Sequence, residues 1–195
     1  PGKFTALIGY EWTSRFNNAT RHRNVIFKDN ADKTNQVLPF SARDSTNPED
    51  LWRFLARYEE LTGGEVLSIA HNPNLSNGRE FAISDISGKP FSLAHQKLRK
   101  RFEPLLEVTQ IKGDSETLGI LSPNDEFADY ETWEGWSVIR GQGIGPTAAA
   151  PMDADRTQYE YARSGLKLGL QQYAELGVNP FKYGMIGSSD AHTGL

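Results

Sequence analysis

The feature that most constrains this chain is a recurrent pattern in which a short apolar run passes directly into acidic or histidine residues. In the clearest case the run 183–186 passes through a Gly-Ser-Ser turn into Asp190-Ala191-His192. Such a run is typical of a buried parallel strand that presents polar groups at its carboxyl end. Open and closed α/β folds place their chemistry at that end of the sheet, so the pattern predicts an α/β protein with a site there.

The same pattern occurs at other predicted strands. An apolar run over residues 4–10 ends at Glu11, His22 begins the run 22–27, and the run 65–70 ends at His71. Three of the four histidines therefore lie at predicted strand ends, which random placement rarely produces.

The last two polar residues of the pattern, Asp190 and His192, are two positions apart, so on an extended segment both side chains point to the same side. A carboxylate and an imidazole in that arrangement suit a divalent cation, or a catalytic base with its orienting partner. We expect them to form one metal site with Glu11, His22 and His71. The alternative, in which these are buried polar residues satisfied by the backbone, stays open.

The residue types present restrict the chemistry of such a site. The sequence contains no cysteine, so any metal must be held by nitrogen and oxygen ligands. Ligands of this kind suit zinc, manganese or iron, and a carboxylate such as Glu11 can bridge two ions that activate a water molecule. The reaction class is then metal-assisted hydrolysis. No Gly-rich phosphate loop, Gly-x-Ser-x-Gly motif or dinucleotide fingerprint occurs, so kinase, α/β-hydrolase and dehydrogenase functions lack support.

The segments between these runs predict an alternating order of helices and strands. A helix begins at Asn47-Pro48-Glu49-Asp50 and ends at Gly63, and with the strands 22–27 and 65–71 it predicts one βαβ crossover. We also predict helices at 91–102, from 122 to about 133 and at 156–176, and a strand at 105–111. In the basic helix 91–102, we interpret His95 as an ordinary surface histidine. The Gly/Pro-rich stretch 134–156 predicts a flexible insertion or lid.

Size and charge indicate the kind of partner. The chain has 195 residues and a formal net charge of −4, so we expect one domain over 1–195, a small-molecule substrate and no binding to nucleic acid. No apolar run approaches a membrane span, so we expect no membrane partner. The sequence enters a strand almost at Pro1, and we therefore expect a segment of a longer protein, whose compartment the sequence does not predict.

Several motifs resemble the later metal-binding motifs of the polymerase-and-histidinol-phosphatase (PHP) superfamily. They occur in the order Gly9-Tyr10-Glu11, His22, His71-Asn72-Pro73 and Ser189-Asp190-Ala191-His192. Longer segments of the sequence are similar to a large bacterial family of domains of unknown function with a PHP-type site. The segments that carry this second likeness are Ile8-Gly-Tyr-Glu-Trp-Thr13, Arg21-His-Arg-Asn-Val-Ile-Phe27, Glu107-Val-Thr-Gln-Ile-Lys-Gly-Asp114 and Gly184-Met-Ile-Gly-Ser-Ser-Asp190.

The resemblance implies that the chain is the C-terminal part of a distorted (β/α)7 barrel that binds two or three metal ions. Glu11 would be a bridging ligand, and His22, His71, Asp190 and His192 would be terminal ligands. Glu107 matches a strand position near the site. The opening His-x-His motif of the superfamily does not occur here and would lie before Pro1.

The implied activity is that of a metal-dependent phosphoesterase that uses a metal-activated water on a small phosphorylated substrate. Two alternatives stay open, an amidohydrolase-like enzyme that cleaves carbon–nitrogen bonds and a non-catalytic binding or scaffold module. A barrel without its first strand would also leave an open sheet edge, through which the chain could self-associate. Candidate substrate contacts are Arg21, Arg23, Asn72, Asn74 and Lys112.

Overall fold

The computed structural model describes residues 2, 5–16, 19–133 and 154–193. Its six strands are β1 (Ile8–Phe16), β2 (Ala19–Phe27), β3 (Val66–His71), β4 (Leu105–Gln110), β5 (Gly113–Asp114) and β6 (Gly184–Gly187). Its α-helices are α1 (Ala31–Thr34), α2 (Pro48–Thr62), α3 (Leu93–Phe102), α4 (Ala154–Thr157) and α5 (Ala162–Leu176), with a single 3-10 turn at Pro73–Leu75. No helix among these residues is long and apolar enough to cross a bilayer.

The six strands form one mixed, open sheet. The order is β1-β2-β3-β4, and both β5 and β6 pair with β4. β2 is antiparallel to β1 and to β3, whereas β4 is parallel to β3 and to β6. The prediction of part of a distorted (β/α)7 barrel is therefore wrong. The strands of such a barrel are parallel, and no pairing among the described strands closes this sheet into a ring.

The physical reason for this error lies in the first two strands. β1 does not end at Glu11 but continues to Phe16, and β2 begins at Ala19, before His22. The two strands thus form an antiparallel hairpin, with an unbroken register from Ile8 opposite Phe27 to Phe16 opposite Ala19.

The direction of β3 also differs from the prediction. Because β3 runs antiparallel to β2, the segment from β2 through α2 to β3 is not a βαβ crossover. The parallel crossover is the next unit, β3-α3-β4, in which Ile69 pairs with Leu105. The alternation of strand and helix was predicted correctly here, but a pattern of apolar residues does not specify strand direction.

Helix α2 confirms the predicted start and stop signals. The side chain of Asn47 accepts a hydrogen bond from the backbone N–H of Glu49, and Pro48 occupies the first turn. Gly63 ends the helix in the left-handed conformation, with φ of 59°, and donates its N–H to the carbonyl of Glu59. The apolar stripe of this helix packs on one face of the sheet.

The other predicted helices have mixed outcomes. The helix at 91–102 and the strand at 105–111 are confirmed as α3 and β4. The predicted helix from Ser122 to about Trp133 is wrong, since that segment consists of turns. The helix predicted from Arg156 begins only at Ala162 as α5. The predicted insertion at 134–156 lies outside the described residues, apart from its last positions in α4.

Two apolar clusters hold the helices against the sheet. The first joins β1, β2 and β3 to α2 and α3 through Trp12, Val25, Phe27, Leu51, Trp52, Leu55, Tyr58, Val66 and Phe102. The second joins β3 and β4 to α5 through Ala70, Phe81, Leu106, Ala162, Leu168 and Phe181. A Cβ at Gly165 would lie 2.6 Å from the ring of Phe81, so glycine permits the close contact of α5 with that ring. Both clusters use the same face of β1–β3, and none of the described helices contributes to a cluster on the opposite face.

A buried network of four charged side chains connects this helix-covered face to the loop after β3. Glu103 Oε1 accepts hydrogen bonds from Arg23 Nε at 2.7 Å and Trp52 Nε1 at 2.9 Å. Glu80 Oε1 accepts from Arg23 Nη2 at 2.9 Å and Arg99 Nη2 at 2.6 Å. Burial alone would raise the pKa of Glu103, but the charges of Arg23 and Arg99 outweigh it and lower that pKa. Arg23, predicted as a substrate contact, is thus a structural residue.

His95 is not the surface histidine that the sequence analysis expected. It is buried between α3 and α2, where its ring stacks on Phe91 and meets Trp52 edge-on. Its Nδ1 lies 2.7 Å from Glu49 Oε2. Burial lowers the pKa of His95, and the hydrogen bond to Glu49 only partly opposes that effect.

We predict that Glu103→Gln lowers the free energy of unfolding by about 3–5 kcal/mol, because it leaves Arg23 and Arg99 buried with too little negative charge. Urea-induced unfolding measures this change. Glu65→Gln is the matched control, since its ion pair with Lys28 is exposed on both sides and should matter little. Equal stability of the two variants would show that the network does not contribute as described.

We also predict that His95 makes stability depend on pH. Its pKa is lowered in the folded state, so below about pH 6.5 the unfolded chain binds a proton that the folded chain does not, and stability falls with falling pH. The His95→Gln variant should show a shallower fall between pH 7 and 5, by up to about 1.4 kcal/mol per pH unit. Lys97→Gln, an exposed change on the same helix, should keep the wild-type slope, and an unchanged slope in His95→Gln would contradict the assignment.

Candidate metal centre

The uncovered face of the sheet carries a row of polar side chains across four adjacent strands. Thr13 of β1 pairs with His22 of β2, and His22 pairs with His71 of β3. Glu11 lies two positions from Thr13 and therefore on the same face. Glu107 of β4 shares that face, since it lies two positions beyond Leu105, which pairs with Ile69. The row exists because residues that lie opposite each other on paired strands project from the same face of the sheet.

Three of these residues bring possible metal ligands together. Glu11, His22 and His71 each offer one ligand atom, and these atoms all lie within 4.8 Å of one another. Glu11 Oε1 lies 2.5 Å from His22 Nδ1 and 3.3 Å from His71 Nε2. The two imidazole rings stack with centroids 5.1 Å apart. The hydroxyl of Thr13 donates to Glu11 Oε1 at 3.1 Å and lies 3.0 Å from His22 Nδ1.

The protonation states in this group favour ligation. The hydrogen bond with His22, followed by the proximity of His71, holds the pKa of the Glu11 carboxyl well below its ordinary value. Burial lowers the pKa of His22, although the contact with Glu11 partly opposes it, and the charges of His71 and Lys112 lower it further. An ionised carboxylate therefore faces an imidazole whose neutral form is favoured, and these are the forms in which both residues bind metals.

The state of His71 is the most informative feature of the group. The residue is only 2% exposed, and neither Nδ1 nor Nε2 makes an aligned hydrogen bond with any residue that the structure describes. The 3.3 Å contact of Nε2 with Glu11 Oε1 is close enough for an ion pair but is not aligned as a hydrogen bond. A buried polar atom without a partner is rare and costly in proteins. Two such nitrogens beside a carboxylate fit a ring that ligates a cation.

The two C-terminal residues of the predicted site form a separate cluster. Both Asp190 and His192 adopt left-handed backbone conformations, with φ of 48° and 57°, so the expected extended segment is not present. β6 ends at Gly187, and it is a largely exposed strand rather than a buried one. His192 Nε2 lies 2.7 Å from Asp190 Oδ1, and the imidazole is exposed. The structure does not include this pair in the group formed by Glu11, His22 and His71.

Asp190 is held by cationic and amide groups. Lys112 forms an ion pair with Asp190 Oδ2, and Gln110 Nε2 donates to the same oxygen at 3.0 Å. Gln110 Nε2 also lies 2.8 Å from Glu107 Oε1 and 3.0 Å from Asn72 Oδ1. Gln110 thus connects the loop after β6 to the end of the polar row.

The remaining predicted substrate contacts have different roles. Asn74 is buried, accepts a hydrogen bond from Ser115 Oγ at 2.9 Å and donates to the Lys112 carbonyl at 3.1 Å, so it holds the loop. Arg21 lies on the helix-covered face, because it precedes His22 on the strand. Lys112 and Asn72 do lie beside the polar row. The sequence analysis did not predict Thr13 or Gln110 as site residues. Thr13 follows Glu11 by two positions, so the alternation of side chains along a strand could have placed it on the same face.

Comparison with protein families matches residues 1–195 to one family, described as Protein of unknown function (DUF3604). Neither the curated proteins nor the solved structures contain a match to the chain. The family description names no activity, so the resemblance to the PHP superfamily stays a prediction. Since the match covers the whole sequence, the chain belongs to the DUF3604 family.

Proposed function

We propose that Glu11, His22 and His71 hold a divalent transition metal ion and that the chain is part of a metal-dependent phosphoester hydrolase. The observation that carries the proposal is the convergence of the three ligand atoms within 4.8 Å, with both nitrogens of the buried His71 lacking hydrogen-bond partners. Two nitrogen ligands and one carboxylate oxygen suit zinc, manganese or iron(II). Such an ion supplies an activated water and neutralises charge on a phosphoryl oxygen.

The chain's own residues would orient the ligands and the substrate. The hydroxyl of Thr13 orients the carboxylate of Glu11 by donating a hydrogen bond to it, and the stacking of His22 on His71 restricts both rings. Lys112 lies beside the row, where it forms an ion pair with Asp190. This lysine is therefore a candidate contact for the anionic group of a phosphoester.

The pair of Asp190 and His192 supports a second role at this site. The imidazole of His192 is exposed, and the carboxylate of Asp190 orients it at 2.7 Å. A carboxylate that orients an imidazole is the arrangement of a general base or acid. In the proposed enzyme His192 transfers a proton between the reacting groups and solvent, and Asp190 orients the ring without binding the metal.

The two alternatives from the sequence use the same residues. Hydrolysis of a carbon–nitrogen bond needs the same ligand set, and the resemblance to the PHP superfamily is what favours a phosphoester. A non-catalytic module would keep the metal group without turnover. Substrate profiling distinguishes these three cases.

We predict that the purified chain binds zinc, manganese or iron, and that His71→Ala lowers the affinity by at least about a hundredfold, since it removes a ligand. Elemental analysis and competition with a chelator measure this. Asp190→Asn should lower affinity far less, because Asp190 pairs with Lys112. His95→Gln is the matched control, as it removes a buried histidine that contacts a carboxylate on the other face of the sheet.

Hydrolysis by the metal-loaded chain should be measured with p-nitrophenyl phosphate, bis-p-nitrophenyl phosphate and an acetylated p-nitroanilide. Phosphoester turnover that His71→Ala abolishes and His95→Gln retains supports the proposal. Turnover of the anilide alone would replace it with the carbon–nitrogen hydrolase. Bound metal with no turnover of any substrate would favour the non-catalytic module, and absence of bound metal would refute the metal centre.

A further inference from the structure

A cavity of about 520 Å³ lies on the helix-covered side of the sheet, away from the metal group. Neither Glu11, His22 nor His71 lines it, and the alternation of β2 places Arg21 on the face opposite to His22. Its walls come from the start of β2, the first turn of α2, the loop after the 3-10 turn and the segment before α5. The lining residues are Arg21, Thr46, Asn47, Glu49, Asn77, Gly78, Arg79, Ala82, Ile83, Ser84, Asp85, Ile86, Phe91, Arg156 and Tyr159.

Three arginines from separate parts of the chain converge on this cavity. Arg21 Nη2 donates to the Thr46 carbonyl at 3.1 Å, but its buried Nε has no hydrogen-bond partner. Arg156 Nε donates to the Asn77 carbonyl at 3.3 Å, and its side chain packs over Gly78. Arg79 lies between them along the chain and lines the same wall. A guanidinium with outward-facing N–H groups is the preferred partner of tetrahedral oxyanions.

These arginines act on one another electrostatically. Burial, followed by the charges of Arg23, Arg79 and Arg99, lowers the pKa of Arg21 to about 9, although the charge of Glu80 partly opposes this effect. Burial and the charge of Arg156 lower the pKa of Arg79. The three guanidinium groups therefore place like charges around one cavity, and a bound anion would reduce their mutual repulsion.

The acidic residues around the cavity are engaged elsewhere. Glu49 bonds His95 through Oε2 and Arg53 through Oε1. Asp85 Oδ1 accepts from the backbone N–H groups of Ser87 and Lys89. The nearby Glu80 is shared by the buried network. The first turn of α2 adds the positive end of a 15-residue helix dipole to the same cavity.

Apolar and aromatic side chains also line the cavity, namely those of Ile83, Ile86, Phe91 and Tyr159. A volume of about 520 Å³ exceeds what an inorganic ion needs and is in the range of small-molecule pockets. The lining therefore combines a place for an anionic group with a place for an apolar or aromatic body.

We propose that this cavity binds a small organic phosphate or sulfate ester, whose oxyanion contacts Arg21, Arg79 and Arg156 and whose organic body packs against Ile83 and Phe91. The site is separate from the metal group, on the other face of the sheet. The proposal concerns binding alone. The site does not depend on the proposed hydrolase activity.

Isothermal titration of the full chain with phenyl phosphate and phenyl sulfate tests this proposal, before and after dialysis against a chelator. We expect saturable binding that the chelator does not change. The stronger of the two ligands identifies the oxyanion. Arg79→Gln and Arg156→Gln should each weaken binding by about tenfold or more, because each removes a charged hydrogen-bond partner.

Arg57→Gln is the matched control, since Arg57 is exposed on α2 and does not line the cavity. Arg156 is also exposed, so Arg156→Gln should keep the wild-type melting temperature. Weaker binding by this variant would therefore not result from a loss of folding. Three results would overturn the proposal: no saturable binding, equal weakening by Arg57→Gln, or binding of phenol as tight as that of phenyl phosphate. Inorganic phosphate binding as tightly as phenyl phosphate would overturn the role of the apolar wall.

Discussion

The register of β2 between its two antiparallel neighbours is the constraint on which the rest of the structure depends. Side chains alternate along a strand, so a shift of one residue would exchange the two faces and bring Arg23 to the open side. The buried ion pairs of Arg23 with Glu103 and Glu80 oppose any such shift, because they would have to be broken without replacement. With Arg23 held on the helix-covered face, His22 must face Glu11 and His71. The packing of the core therefore determines the geometry of the metal group.

Much of the local structure was predictable because its causes are local. The cap at Asn47, the left-handed Gly63 and the apolar stripe between them specify α2 without reference to the rest of the chain. The grouping of Glu11, His22 and His71 was also predicted, although for an incomplete reason. The sequence analysis placed them at strand ends, whereas Glu11 and His22 lie within β1 and β2 and meet through antiparallel pairing.

The features that failed are those that depend on partners distant in sequence. Strand direction is not encoded in an apolar run, so a barrel of parallel strands and an open mixed sheet predict the same local pattern. His95 looked solvated because helix α3 is rich in lysine and arginine, but burial of Arg99 in the ion network turns that face inward and brings His95 against Trp52. The segment of Asp190 and His192 was predicted to be extended from the spacing of these two residues, whereas both residues adopt left-handed conformations that this spacing does not specify.

The burial of His71 lowers the stability of the folded chain. An unsatisfied buried polar group destabilises a protein by about 1–3 kcal/mol, and His71 has two such nitrogens. Ile69 lies two positions earlier on the same face and is apolar. An apolar side chain therefore fits this face, and packing alone does not require an imidazole at position 71. A ligand that binds only the folded state stabilises it, so a cation held by Glu11, His22 and His71 would offset this cost. The proposed metal centre therefore gives a physical reason for a histidine at this position, where the neighbouring residue on the same face, Ile69, is apolar.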